Sequence, residues 1–242
     1  MKIKMALSLF LLAIIQNSFA AECSYDFNVN TYPVVSGKKY KFTTLSSNEA
    51  KEYGALRTLD GGLNNNLIYK SLPESGIYSF ELKSEVIPYD LPDNEAVLLI
   101  YSILLKSNYS DYRIIVYYPN NSFHENNKRK LIVNMIKTVN HVDSVVFNGS
   151  YQYDRLNQKL GFYFNQNINQ IGLIINGINQ GYVANINDKL NQIGFFMSGG
   201  FPPFAANSSN LGKVLSQEYI FDRSQLSSGF PAGTKDICGN SL

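Results

Sequence analysis

The chain has 242 residues, of which 45% are hydrophobic, 13% aromatic and 17% charged, with 17 Tyr, 15 Phe, two Cys and no Trp. So much apolar and aromatic material excludes a disordered chain and favours a β-rich one. A formal charge of only +2 at pH 7 lacks the basic footprint of a nucleic-acid binder, and "HENNKRK" at His124 to Lys130 reads as a solvated loop.

The first element in chain order is a leader. Lys2 and Lys4 precede "ALSLFLLAII", an apolar run from Ala6 to Ile15 that falls short of the roughly 20 residues a membrane span needs. Ser18 and Ala20 then supply small residues before a cut, so residues 1–20 read as a secretory signal peptide and residues 21–242 as the mature chain. Glu22 argues against lipidation of Cys23. Without Lys2 and Lys4, 19 basic residues face 19 acidic ones, and no transmembrane segment remains. Export to the periplasm or the medium puts Cys23 and Cys238 in an oxidising compartment, where an even pair predicts a disulfide between the two ends of the mature chain. A length of about 220 residues suits one β-sandwich domain.

Strands follow. In "GIYSFELKSEV" Tyr78, Phe80 and Leu82 alternate with Ser79, Glu81 and Lys83, which predicts a half-exposed strand. "AVLLIYSILL", Ala96 to Leu105, is apolar on both parities and reads as a central strand covered on both faces, or else a short buried helix. "YRIIVYY" continues in strand character, whereas "KLIVNMIKTVNHV" fits a strand and also a helical face through Ile132, Met135, Ile136 and Val139. Further alternation places Leu160, Phe162 and Phe164 together, with Tyr163 on the exposed parity, and groups Ile193, Phe195 and Met197. Turns are expected at Asp60 to Gly62, Pro119 to Asn121, Asn148-Gly149, Asn176-Gly177 and Gly199 to Pro203, and one helical turn capped by Asp222 at "DRSQL". Strands at this spacing predict an all-β, antiparallel sandwich with little helix.

The run from Tyr151 to Gly200, with "NQIGLIINGINQGYVANI" as its hairpin, resembles the late strands of concanavalin A-like lectin, glucanase and laminin-G sandwiches, and Ser75 to Val86 resembles a strand of their outer sheet. That resemblance implies a jelly-roll fold and a carbohydrate partner. "CSYDFNV", "LPESGIYSFELK" and "SGFPAGTKDICG" also resemble a bacterial family of secreted proteins of unknown function, which implies that Cys23 and Cys238 are partners and brings no activity.

The catalytic inventory is poor. His124 and His141 are the only histidines, no G-x-S-x-G elbow is present, and no catalytic residue is assigned. Glu81 and Glu85 share a strand face, as acidic residues do in concanavalin A-like glucanases, but Lys83 stands between them and is expected to pair with them. Calcium is the cofactor the resemblance allows, and "DLPDNE" (Asp90 to Glu95) and "LDGGLNNN" (Leu59 to Asn66) offer oxygen ligands without a specific loop spacing. Missing Trp weakens sugar stacking but leaves Tyr163 as a platform. Four Asn-x-Ser sites, at Asn108, Asn120, Asn148 and Asn207, read as chance in a bacterial chain. The expectation is an exported binding module for a glycan or a cell-envelope component, with Tyr163, Glu81 and Glu85 as candidate binding residues. A glycan-cleaving hydrolase and a structural or adhesive envelope protein, joined through a sheet edge, are the alternatives.

Overall fold

The structure, a computed structural model, describes residues 25–28, 34–36, 39–46, 49–50, 54–58, 69–92, 94–121 and 128–242. The leader, Cys23, His124 and the Leu59 to Asn66 loop lie outside the described residues. The strands in chain order begin with β1 (Tyr25–Asn28), β2 (Val34–Ser36), β3 (Lys39–Thr43), β4 (Glu49–Ala50), β5 (Gly54–Thr58) and β6 (Lys70–Ser71). The longer ones follow: β7 (Ile77–Glu85), β8 (Ala96–Ser107), β9 (Asp111–Asn121), β10 (Lys130–Val139), β11 (Val142–Gln152) and β12 (Asn157–Asn165). β13 (Gln170–Ile175), β14 (Ile178–Asn185), β15 (Leu190–Phe201), β16 (Val214–Ile220) and β17 (Thr234–Asp236) complete the set.

They form two sheets, ordered β1-β5-β15-β8-β9-β10-β11 and β14-β13-β12-β7-β16-β3-β2, with β4 and β6 added beside β15 and β17 beside β7. Among the described residues every strand pairing is antiparallel except that of β17 with β7. The expected all-β antiparallel sandwich is the observed architecture, and "KLIVNMIKTV" is a strand with Leu131, Val133 and Met135 buried at alternate positions.

Between the sheets lies an aromatic core. Phe80 stacks on Phe162 and Phe164 at 5.6 and 5.8 Å and meets the edge of Phe195 at 5.0 Å, while Phe195 lies 4.7 Å from Phe221. Each such pair adds about 0.5–1.5 kcal/mol beyond the area it buries. β8 sends Leu99, Tyr101, Ile103 and Leu105 into this core, but its other side departs from the doubly covered strand expected. There Leu98 is exposed and Ile100 and Leu104 are only half-buried.

Asn176 (φ 49°) and Gly177 (φ 87°) join the facing Ile175 and Ile178, so "NGI" makes the two-residue hairpin with two positive φ values. A second hairpin of the same kind turns at Asn140 (φ 49°) and His141 (φ 63°), between Val139 and Val142. It removes His141 from any partnership with Asp143, whose carboxylate accepts the Thr138 hydroxyl at 2.6 Å.

Two expected turns, and the first part of a third, are strand instead. Pro119 faces Leu98 on β8 beyond the last β9 pairing with β10, at Tyr117, so its missing N–H falls where β9 has one neighbour. Asn148-Gly149 lies within β11, with the rings of Phe147 and Tyr151 folded over the space a Cβ at Gly149 would fill. Gly199 and Gly200 continue β15, where Gly199 lies against Phe42 and Gln217. At "DRSQL" the Asp222 carbonyl accepts the N–H of Gln225 and Leu226 and its carboxylate accepts that of Ser224, giving one capped turn and no helix.

Candidate functional site

Alternation along β7 turns Ser79, Glu81, Lys83 and Glu85 away from the core, onto the outer face of the eight-stranded sheet. Register then sets their neighbours. Ser79 faces Tyr163 and Glu81 faces Gly161 on β12, while Lys83 lies between Lys159 on β12 and Glu218 on β16. Glu218 in turn faces Lys39 on β3, so Lys159, Lys83, Glu218 and Lys39 make one row across four strands.

The face has a closed half and an open half. In the closed half the chain's own C-terminal segment lies over the sheet. After β16 it crosses back, and β17 runs parallel to β7 at Ile77 to Ser79. Glu81, which the half-exposed strand reading places on the surface, is 0% exposed. Its carboxylate accepts the backbone N–H of Ser227 at 2.8 Å and of Ser228 at 2.5 Å, and the Ser227 hydroxyl at 3.4 Å. Two amide donors supply what water would otherwise give a buried carboxylate.

Tyr163 is likewise no open platform, being 2% exposed. Its ring lies over Gly172, where a Cβ would come within 1.9 Å of it, and Tyr182 and Phe230 meet it edge-on at 5.3 and 6.5 Å. Burial raises the phenol above its ordinary value, against the hydrogen bond to Asn179, which lowers it. Phe230 also covers Gly161, with ring atoms 3.0 Å from where a Cβ would stand. Asp236, 0% exposed, fixes the end of the segment by accepting the N–H of Cys238 and Asn240, each at 2.9 Å. No described cysteine is a free thiol.

The open half begins where this cover stops. A cleft of about 250 Å³ lies over the Glu85 end of β7, lined by Lys39, Lys83, Lys159, Glu85, Glu218 and Ser216 together with Ser84, Asn157 and Gln158. Glu85 forms a long ion pair with Lys39 at 3.8 Å. Lys83, expected to pair with the glutamates, makes no ion pair among the described residues, and neither does Glu218. The Lys159 ammonium donates to the Ser227 hydroxyl at 2.9 Å, linking the cleft to the covering segment.

Beneath the cleft one side chain from the opposite sheet ties the floor together. The Tyr101 hydroxyl donates to the Lys83 carbonyl at 2.6 Å and accepts the Glu218 N–H at 3.1 Å, with the Ser84 hydroxyl at 2.8 Å. The backbones that carry Lys83 and Glu218 are thus fixed from below, so the two side chains start from a set geometry.

Glu81 and Glu85 therefore do not form an acidic pair. Glu81 is buried beneath the covering segment with its carboxylate bound by the Ser227 and Ser228 amides, while Glu85 lies in the open cleft and pairs with Lys39. Glu218 is the carboxylate that the sequence reading missed. It faces Lys83 while Glu85 faces Ser216, which makes the two glutamates diagonal neighbours about 7–8 Å apart across β7 and β16. In the Asp90 to Glu95 stretch, Asp90 pairs with Arg129 at 2.6 Å, and Glu95 accepts from Ser208 and from Asn210. Among the described residues no three His, Cys, Asp or Glu gather as a metal-ligand group.

A family model described as a domain of unknown function, DUF4882, matches residues 16–240. The chain belongs to the DUF4882 family. No curated protein matches it in sequence. Among solved structures, this DUF4882 chain is similar to the κ-carrageenase from Pseudoalteromonas carrageenovora in complex with an oligotetrasaccharide of κ-carrageenan, at 13% identity and a TM-score of 0.45, over 81% of this chain and 87% of that one. It is similar to the family 7 alginate lyase A1-II′ at 12% identity and a TM-score of 0.41, over 76% and 75% of the two chains. Carbohydrate-binding module CBM66 from Bacillus subtilis follows at 12% identity and a TM-score of 0.35, over 75% and 94%. At these identities the likeness is one of fold. Among the described residues of the DUF4882 chain no helix is long and apolar enough to cross a membrane.

Proposed function

We propose that the chain is an exported binding module that takes a glycan, of its own or another cell envelope, in the cleft over the Glu85 end of β7. One observation carries the reading: half of the outer sheet face is closed by the C-terminal segment, and the other half is left as a concave, charged and hydrogen-bonding surface on a rigid floor. Sugars present many hydroxyls, and a site of Lys, Glu, Ser, Asn and Gln side chains offers them both donors and acceptors. Glu85 belongs to this site together with Lys39, Lys83, Lys159 and Glu218, whereas Glu81 and Tyr163 hold the covering segment. A glycan-array screen of the mature chain, Ala21 to Leu242, with and without calcium, tests it. Reproducible binding that is lost in a Lys83→Ala, Glu218→Ala double variant is expected, and binding that survives this change would move the site elsewhere.

A cleaving enzyme is the second reading, supported by the diagonal Glu85 and Glu218. On that reading Glu85→Gln and Glu218→Gln each abolish reducing-sugar release while binding persists. Release that survives both changes would remove the pair from consideration.

The proposal includes a leader cleaved after Ala20, one sandwich domain from Ala21 to Leu242, and a bond between Cys23 and Cys238. Closing so long a loop is worth on the order of 5 kcal/mol in the chain-entropy account. Intact mass rises by the mass of two hydrogen atoms on reduction of the denatured protein if the bond exists, and an unchanged mass would refute it.

A further inference from the structure

Resting on that binding reading, the cross-strand register goes one step further, to the chemical class of the ligand. Lys83 and Lys159 are direct antiparallel partners on adjacent strands. Their Cβ atoms therefore stand about 5 Å apart, a placement in which like charges repel. Among the described residues no carboxylate in the cleft closes an ion pair with either ammonium. Glu85 is engaged by Lys39, Glu218 reaches neither ammonium, and the one partner Lys159 has is the neutral Ser227 hydroxyl. Glu218 lies across Lys83 from Lys159, and Glu85 lies two residues along β7 opposite Asn157, so the cationic pair Lys83 and Lys159 sits beside two carboxylates, one of them engaged by Lys39.

We infer that the ligand is an acidic saccharide, whose carboxylate or sulfate bridges the Lys83 and Lys159 ammonium groups while hydroxyls of the same or the next sugar donate to Glu218 and Glu85. An anion between the two lysines turns a repulsive pair into two charge-assisted hydrogen bonds. Tyr101 is a positioning residue in this scheme. It holds the Lys83 and Glu218 backbones together, and with them the spacing between the lysine pair and Glu218.

The test is titration calorimetry of the mature protein against three oligosaccharide sets of matched length: neutral, uronate-containing and sulfated. Binding is expected for an acidic set and not for the neutral one, with the uronate and sulfated arms distinguishing the source of the anion. Lys83→Gln and Lys159→Gln should each weaken it by roughly tenfold or more, with the melting temperature retained. Affinity should also fall as salt is raised. Equal binding of neutral and acidic sets, or acidic binding indifferent to both lysine changes, overturns the inference and leaves the glycan reading standing. Silence of all three sets overturns both.

Discussion

Replacing Glu81 by alanine frees the C-terminal segment from the sheet and lowers stability by about 3 kcal/mol, the scale for removing a buried charged acceptor from its donors. For a domain of this size that is a fall on the order of 10 °C in melting temperature. The loss arises on the far side of the contact: the Ser227 and Ser228 N–H groups would face a cavity with no acceptor. Hydrogen exchange localises the effect. Amides of residues 222–233 are expected to exchange faster, while those of the central strand β8 keep their protection. Glu81→Gln retains one carbonyl oxygen for the two amides and should recover part of the stability. A melting temperature unchanged in Glu81→Ala would mean that the segment is held by Phe230 and β17 alone.

Alkaline conditions have a comparable effect through the buried phenols. Tyr101, Tyr118 and Tyr219 are at most 1% exposed and cluster between the sheets, with Tyr101 to Tyr219 ring centroids 5.2 Å apart. Desolvation raises the pKa of all three well above the ordinary value of 10.0, and mutual repulsion with Tyr101 raises Tyr118 and Tyr219 further. Tyr153 is raised by burial in the same way. An unfolded chain gives up these protons near pH 10, whereas the native chain keeps them. The unfolded state is therefore favoured progressively as pH climbs above 10, and the full contribution of the phenols is present only below it. Denaturant midpoints should hold up to pH 10 and then drop steeply, with the phenolate absorbance of these tyrosines appearing together with loss of the fold. Complete phenolate absorbance in a still-folded protein would show that water reaches the cluster.

Much of the fold was legible because its signals are local. Period-two alternation placed Phe80, Leu82, Leu160, Phe162, Phe164, Phe195 and Met197 in the core, and Asn176-Gly177 named its own hairpin. The hairpin at Asn140-His141 carries no glycine, so it gave no comparable signal. Glycines at 149 and 199 were misleading for the opposite reason, since they serve the room beside a strand and not a change of direction. The site was less legible. Parity correctly sent Glu81 and Tyr163 to the outer face, but what covers that face arrives 146 residues later in the chain, as Ser227 meeting Glu81. Likewise the row Lys159, Lys83, Glu218, Lys39 draws on four strands distant in sequence, and only the register brings them level. Glu218 had a readable signature, the alternation of Leu215, Gln217 and Tyr219 with Ser216 and Glu218, yet its relation to Glu85 exists only across β7 and β16.

The parallel strand β17 also bears on the order in which the molecule is made. β7 is synthesised early, but the partners that flank it, β12, β16 and β17, come progressively later, and Ile77 faces Asn165 on one side and Thr234 on the other. Until that stretch leaves the ribosome, the central strand of one sheet keeps an unpaired edge and Glu81 keeps an unanswered charge. A chain so dominated by distant pairings folds slowly. That delay suits the export proposed for this chain, since a chain threaded through a membrane has to cross before it collapses.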